Sequence, residues 1–296
     1  MTGSFALRFA LLGSLAGFAC SSSSRNTLVD AGSEGSGGTG GTDAGAGSGG
    51  TSGTSGSGGT SGTAGGAGSG GSSGTTTCPS GRGAKMVVAS SPAGSFCIDA
   101  TETTNAEYAQ FLANPDVAPQ PAYCTWNQSF EPKFPLSAGA ELPVVGVDYC
   151  DARAYCEWAG KRLCGRIGGG ATPFNSYADA RESQWYAACS AGGALFYPYG
   201  NSYDPTACNG ADLNRGSLVA VGSTRCEGGP KGVFDMSGNA WEWENSCEAE
   251  TGVDDKCRLR GGEFTNPSGF LRCDYGEFYI ERDFTSYSIG IRCCGP

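Results

Sequence analysis

The chain has 296 residues, 51 of them glycine and 15 cysteine, with a formal net charge of −10 and no histidine. Lacking any basic stretch, it has no electrostatic footprint for nucleic acid. Lacking histidine, it can build neither a Ser-His-Asp triad on Ser237 nor a His-ligated metal centre.

The first 20 residues read as a secretory signal. A short charged start ending at Arg8 is followed by an apolar run over 9–19 and then by Cys20. The run is too short to span a bilayer comfortably. Gly17-Phe18-Ala19-Cys20 resembles a bacterial lipobox, with Gly17 where a leucine is usual, so Cys20 is expected to become a lipidated N-terminus. Residues 21–77 are nearly all Gly, Ser, Thr and Ala. Such a segment behaves as a flexible coil with a reach on the order of 40 Å. Together these features predict an exported protein, lipid-anchored at the outer membrane or cell surface of a bacterium. It would meet the membrane through the anchor alone.

Residues 78–296 form the one segment with enough apolar and aromatic side chains to bury a core. Strands are expected at 85–89 and 96–99, with Ser91-Pro92-Ala93-Gly94 as the turn between them. Thr104 or Asn105 can cap a helix whose apolar stripe is Tyr108, Phe111 and Leu112. Asp148 or Asp151 opens a second helix that ends at Gly160, and a third is expected over 181–189, closed by Gly192. Short strands are expected at 258–262 and 289–293. The run Gly232-Val233-Phe234-Asp235-Met236-Ser237-Gly238-Asn239-Ala240-Trp241-Glu242-Trp243 carries neither helical nor strand periodicity, so it reads as a loop held in one shape. Long Gly- and Asn-rich connections argue against a compact domain unless disulfides or bound cations hold them.

Cys20 apart, 14 cysteines lie between Cys78 and Cys294. An even set in an exported chain reads as a disulfide framework of up to seven bridges. The CxxC pairs common in cysteine-only zinc sites are missing. Cys293 and Cys294 would point to opposite faces of a strand and should take different partners. The terminal Cys293-Cys294-Gly295-Pro296 superficially matches a prenylation box, which an exported bacterial chain would never use.

Several motifs in order resemble the formylglycine-generating enzymes, the sulfatase-modifying-factor family. They include Cys97-Ile98-Asp99, Glu102-Thr103-Thr104-Asn105, Pro143-Val144-Val145-Gly146-Val147-Asp148 and Trp158-Ala159-Gly160-Lys161-Arg162-Leu163. Tyr197-Pro198-Tyr199-Gly200-Asn201, the run over 232–243, Arg260-Gly261-Gly262 and Ile289-Gly290-Ile291-Arg292 complete the set. The resemblance spans about residues 84–294. It implies an α+β domain with the irregular fold of that family, distantly like C-type lectins, low in regular secondary structure and here disulfide-rich.

The resemblance further implies two bridges, Cys156 with Cys293 and Cys189 with Cys273. It implies structural calcium at Asp235 with backbone oxygens of Gly238, Ala240 and Glu242. A second site would start at Asn209 and Gly210, with Asp212 as a candidate ligand. Oxygen ligands and a glycine turn suit Ca²⁺, which is the favoured reading; the alternative is that Asp235 and Asn239 hydrogen-bond their own loop. Two departures matter. Active oxidases of the family carry two cysteines just after the Gly-Gly motif, where they bind copper(I). Here Thr265, Asn266, Pro267, Ser268 and Gly269 stand in that region. Hydroxyl and amide groups are poor copper(I) ligands, so no copper is expected. An insert over 165–180 leaves the partner of Cys164 open. The expected function is a non-catalytic, tethered domain that binds a ligand or an envelope protein. The alternatives are an oxidase with displaced cysteines, acting on a cysteine of exported proteins, and a purely structural envelope lipoprotein. A groove near Phe264, Phe270 and Trp241 could survive as the binding surface.

Overall fold

A computed structural model describes residues 77–136 and 139–296. The expected signal, Cys20 and the expected tether up to residue 76 lie outside the described residues.

Strands β1 (Met86–Ser91) and β2 (Gly94–Asp99) form a six-pair antiparallel hairpin, closing at Ser91↔Gly94 over the predicted turn. Gly94 has φ +135, which a β-carbon would oppose. Helix α1 (Asn105–Ala113) starts at Thr104. The Thr104 hydroxyl accepts from Glu107 N–H, and the Glu107 carboxylate accepts from Thr104 N–H. Two orphan helix donors are satisfied reciprocally in this way. Helix α2 (Tyr149–Trp158) repeats the device with Asp148 and Asp151. It ends where Gly160 takes φ 75, a conformation costly for any other residue.

Helix α3 (Gln184–Cys189) starts later than the predicted 181. Ser183 caps it, accepting from Tyr186 N–H, while the N–H groups of Arg181 and Ser183 are already bonded to Asp179. Residues 180–182 form a turn held on Asp179, and the helix follows it from Gln184.

Short strands complete two four-stranded sheets. The first has the order β1-β2-β8-β3, with β3 at Arg162–Leu163 and β8 at Cys293–Cys294. The second has the order β6-β5-β4-β7, from Trp241–Cys247 (β4), Lys256–Arg260 (β5), Tyr279–Glu281 (β6) and Ile289–Gly290 (β7). Three expectations change here. The strand expected at 258–262 is β5, which ends at Arg260 because Gly261 and Gly262 take φ 89 and 79. The strand expected at 289–293 is divided between the two sheets, with β7 parallel to β4 and β8 paired to β2 and β3. The end of the run over 232–243, expected as loop throughout, is the start of β4.

Two large apolar clusters fill the domain, beside a small one of Ala207, Cys208 and Cys226. One packs the aromatic faces of α1 and α2, including Tyr108, Phe111, Tyr155 and Trp158, against Trp243, Leu259 and Ile291. The other packs Phe96 and Ile98 against Trp185, Val233 and Met236. Among the described residues no helix is long and apolar enough to cross a membrane.

Seven bridges engage all 14 described cysteines: Cys78–Cys97, Cys124–Cys150, Cys156–Cys293, Cys164–Cys294, Cys189–Cys273, Cys208–Cys226 and Cys247–Cys257. Cys156–Cys293 and Cys189–Cys273 are the pairs implied by the resemblance. The neighbours Cys293 and Cys294 face opposite ways from β8, to α2 and to Cys164 beside β3. Helix α2 and the segment after β3 are thereby tied to one C-terminal dipeptide.

Candidate functional site

The run over 232–243 is shaped by two non-glycine residues in the left-handed region, Asp235 (φ 58) and Asn239 (φ 63), with Gly238 (φ 75) between them. Gly238 has a second constraint. A β-carbon there would lie 2.4 Å from the Asn209 carbonyl oxygen. The loop therefore presses its backbone onto the 208–210 segment, and Asn209 Nδ2 donates to Asn239 Oδ1 across the contact at 3.0 Å.

Asp235 is buried, and its carboxylate accepts from Gly222 N–H at 2.6 Å and from the Thr224 hydroxyl at 2.9 Å. Burial nonetheless pushes its carboxyl upward. Glu102 lies beside it, accepting from Asn239 Nδ2 at 2.7 Å and from Ala240 N–H at 3.0 Å. Burial, followed by the charges of Asp235 and Glu242, holds Glu102 well above the usual carboxylate range. The Glu242 carboxylate accepts from Arg292 Nε at 2.9 and 3.0 Å and from Trp185 Nε1 at 2.6 Å. Arg292 also donates to the carbonyls of Asp99 and Phe234, which joins the first sheet to the loop.

Three buried carboxylates, Glu102, Asp235 and Glu242, thus share one guanidinium. Asn209 Oδ1 is buried with no donor among the described residues. The donor set is oxygen-rich and short of positive charge, which fits a hard cation such as Ca²⁺. Among the described residues no three acidic or cysteine side chains converge closely enough to hold an ion alone. Backbone and amide oxygens would have to supply the rest.

The predicted ligands are only partly brought together. Asp235, Gly238 and Ala240 share the loop, Glu242 follows it in β4, and Asn209 and Gly210 lie against it. Asp212 does not join them. It is exposed and accepts from the Tyr203 hydroxyl at 2.8 Å. Glu102 and Arg292 are further participants, each standing within a motif of the family resemblance. Glu102 sits in a Glu-Thr-Thr-Asn run beside a helix cap, which was the available signal.

The loop after Gly262 folds on itself. Asn266 Oδ1 accepts from Glu263 N–H at 2.9 Å, and the Thr265 hydroxyl donates to Glu263 at 2.6 Å. Leu271 is buried against Gly210 and Gly262, with its carbonyl accepting from the Ser237 hydroxyl at 2.6 Å. The aromatic residues expected to line one groove divide into two groups. Phe270 packs on Tyr275 at 4.8 Å between ring centroids, and Tyr275 reaches Trp241 at 6.1 Å. Phe264 instead faces Tyr287 at 6.2 Å.

A mixed domain with few helices, small sheets, long tied loops and this loop at its centre defines the class of formylglycine-generating-enzyme folds. The chain belongs to the sulfatase-modifying factor enzyme 1-like domain family, whose model matches residues 65–295. That match begins inside the segment read as tether. Among similar proteins, bovine (Bos taurus) "Inactive C-alpha-formylglycine-generating enzyme 2" is 30% identical over 154 residues, covering 47% of this chain and 44% of that protein. Bovine "Formylglycine-generating enzyme" is 24% identical over 194 residues, covering 57% and 48%. The Mycobacterium tuberculosis enzyme of that name is 31% identical over 134 residues, covering 42% and 39%. The chain spans less than half the length of these relatives. Among solved structures, CarF is similar at TM-score 0.48 and 20% identity, covering 69% of this chain and 87% of CarF. PvdO from Pseudomonas aeruginosa is similar at TM-score 0.47 and 21% identity, covering 72% and 91%.

Proposed function

We propose that this is an exported, lipid-tethered member of the family that binds a ligand or an envelope protein and does not generate formylglycine. One observation carries the reading: every described cysteine is engaged in a bridge, and residues 263–272 contain none. The family oxidation uses soft thiolates to hold copper(I). Hydroxyl and amide oxygens at Thr265, Asn266 and Ser268 do not replace them. Freeing Cys189 or Cys273 would open a bridge between buried residues beneath the loop. The relative named as inactive supports a non-catalytic role in the same family. The family's structural calcium would be held by Asp235 and Asn209 with neighbouring backbone oxygens. Bound there, it would supply positive charge beside Asp235, Glu102 and Glu242, whose shared cation among the described residues is Arg292.

The test is to load the full-length protein with copper, incubate it with a Cys-x-Pro-x-Arg peptide, and follow the peptide by mass spectrometry. No conversion of thiol to aldehyde above a copper-only control is expected, with no free thiol titratable in the native domain. Turnover would establish the oxidase reading instead.

A further inference from the structure

A cavity of about 290 Å³ opens beside the loop, on the side where Thr224 meets Asp235. Two arginines, Arg215 and Arg225, line it together with the hydroxyl residues Thr206 and Ser223. Leu213 and Val219 supply apolar surface. This gathering of guanidinium groups is unexpected in a chain of net charge −10.

The site is built by the fold. The Cys208–Cys226 bridge joins the two segments that carry Thr206 and Arg225. Arg225 Nη2 pairs with Asp204 at 3.2 Å and donates to the Thr206 hydroxyl, which leaves the other edge of its guanidinium open. Thr224 is locked by donating to Asp235 and accepting from Cys226 N–H at 3.1 Å. Arg215 is presented by a turn between Asn214 (φ 54) and Gly216 (φ 66). Among the described residues no carboxylate lies within ion-pair distance of Arg215.

We propose that this cavity is an oxyanion-binding site, taking the carboxylate, sulfate ester or phosphate ester of a small sugar-sized ligand. The guanidinium groups offer planar forks that match such oxyanions. Ser223 adds a hydroxyl donor, and Leu213 and Val219 meet the carbon skeleton. The volume sits at the lower end of small-molecule sites, roughly 300 Å³. Bridging and hydrogen bonding hold much of the wall before binding, which lowers the ordering cost. The site is separate from the loop over 263–272 and does not depend on whether that loop is inactive.

Calorimetric titration of the full-length protein with glucose 6-sulfate, glucose 6-phosphate and glucuronate, with glucose as the neutral control, tests the proposal. At least one anionic sugar should bind at least tenfold more tightly than glucose, and the preferred anion identifies the group recognised. Raising the salt should weaken that binding. Arg225→Ala should weaken it at least tenfold, but it also releases Asp204 and Thr206. Arg215→Gln is therefore decisive, because Arg215 holds no ion pair. It should leave the melting temperature unchanged and weaken anion binding at least tenfold. Equal binding of all four sugars, or unaltered anion affinity in Arg215→Gln, would overturn the proposal.

Discussion

Asp151 shows how a helix cap becomes a pH sensor. Burial, with the neighbouring Asp148 charge second, pushes its carboxyl up to about 8, and burial raises Asp148 to about 6. A carboxyl raised in the folded state holds its proton more tightly there than in the unfolded chain. Its stabilisation is complete below the unfolded value, about 3.9, and is lost as pH rises through the folded one. Urea unfolding of the wild type should therefore show this contribution falling between about pH 4 and pH 8. Asp151→Asn, a neutral stand-in for the protonated side chain that can keep the Asn127 contact, should flatten that part of the profile. An unchanged profile would exclude Asp151 as its source. Gly238 makes a steric claim at the same scale. Gly238→Ala imposes φ 75 on a β-carbon and drives it to 2.4 Å from the Asn209 carbonyl oxygen. A loss of at least about 2 kcal/mol is expected in the same unfolding experiment.

The elements are too short to stand alone. β3, β7 and β8 have two residues each, and α3 has six. What holds them is covalent. In the chain-entropy model Cys164–Cys294, closing a separation of 130 residues, contributes about 5 kcal/mol, and Cys247–Cys257, closing 10, about 3 kcal/mol. Access orders their chemistry differently. Cys78 and Cys247 are half-buried, and every other described cysteine is buried. A thiolate must reach a sulfur to open a bridge. Graded reduction followed by alkylation and peptide mapping should label Cys78–Cys97 and Cys247–Cys257 first. Early labelling of Cys156, Cys164, Cys293 or Cys294 would contradict the ordering. The Cys247 hairpin should stay folded when opened, because Asp255 separately accepts from Thr251 and Gly252 N–H at 2.6 and 3.0 Å.

At the scale of the whole molecule, two expectations extend beyond the covalent frame. Cation binding to the folded state alone adds stability by mass action. Thermal melts with excess calcium should lie several degrees above melts with chelator, and Asp235→Ala should remove the difference. Identical melts in the wild type would mean that the hydrogen bonds of Asp235 and Asn239 hold the loop unaided. The mature N-terminus should begin at a lipidated Cys20, which intact mass measures directly. An unmodified N-terminus elsewhere would leave the domain without the proposed anchor.

The sequence by itself determined the family, the disulfide-rich framework and the missing cysteines over 263–272, and it narrowed the helix caps to Thr104 or Asn105 and to Asp148 or Asp151. These are local or compositional features: a cap needs its oxygen three residues from an N–H, and a missing thiol is missing in any fold. Only the tertiary structure decided the rest. It paired Cys164 with Cys294, divided 289–293 between two sheets, set Asp212 on Tyr203, and brought Glu102 and Arg292 beside Asp235. Glu102 and Ala240 are 138 residues apart and meet at 3.0 Å. Contacts of that separation are made by the packing of the loops on the two sheets, and no local period or propensity encodes them.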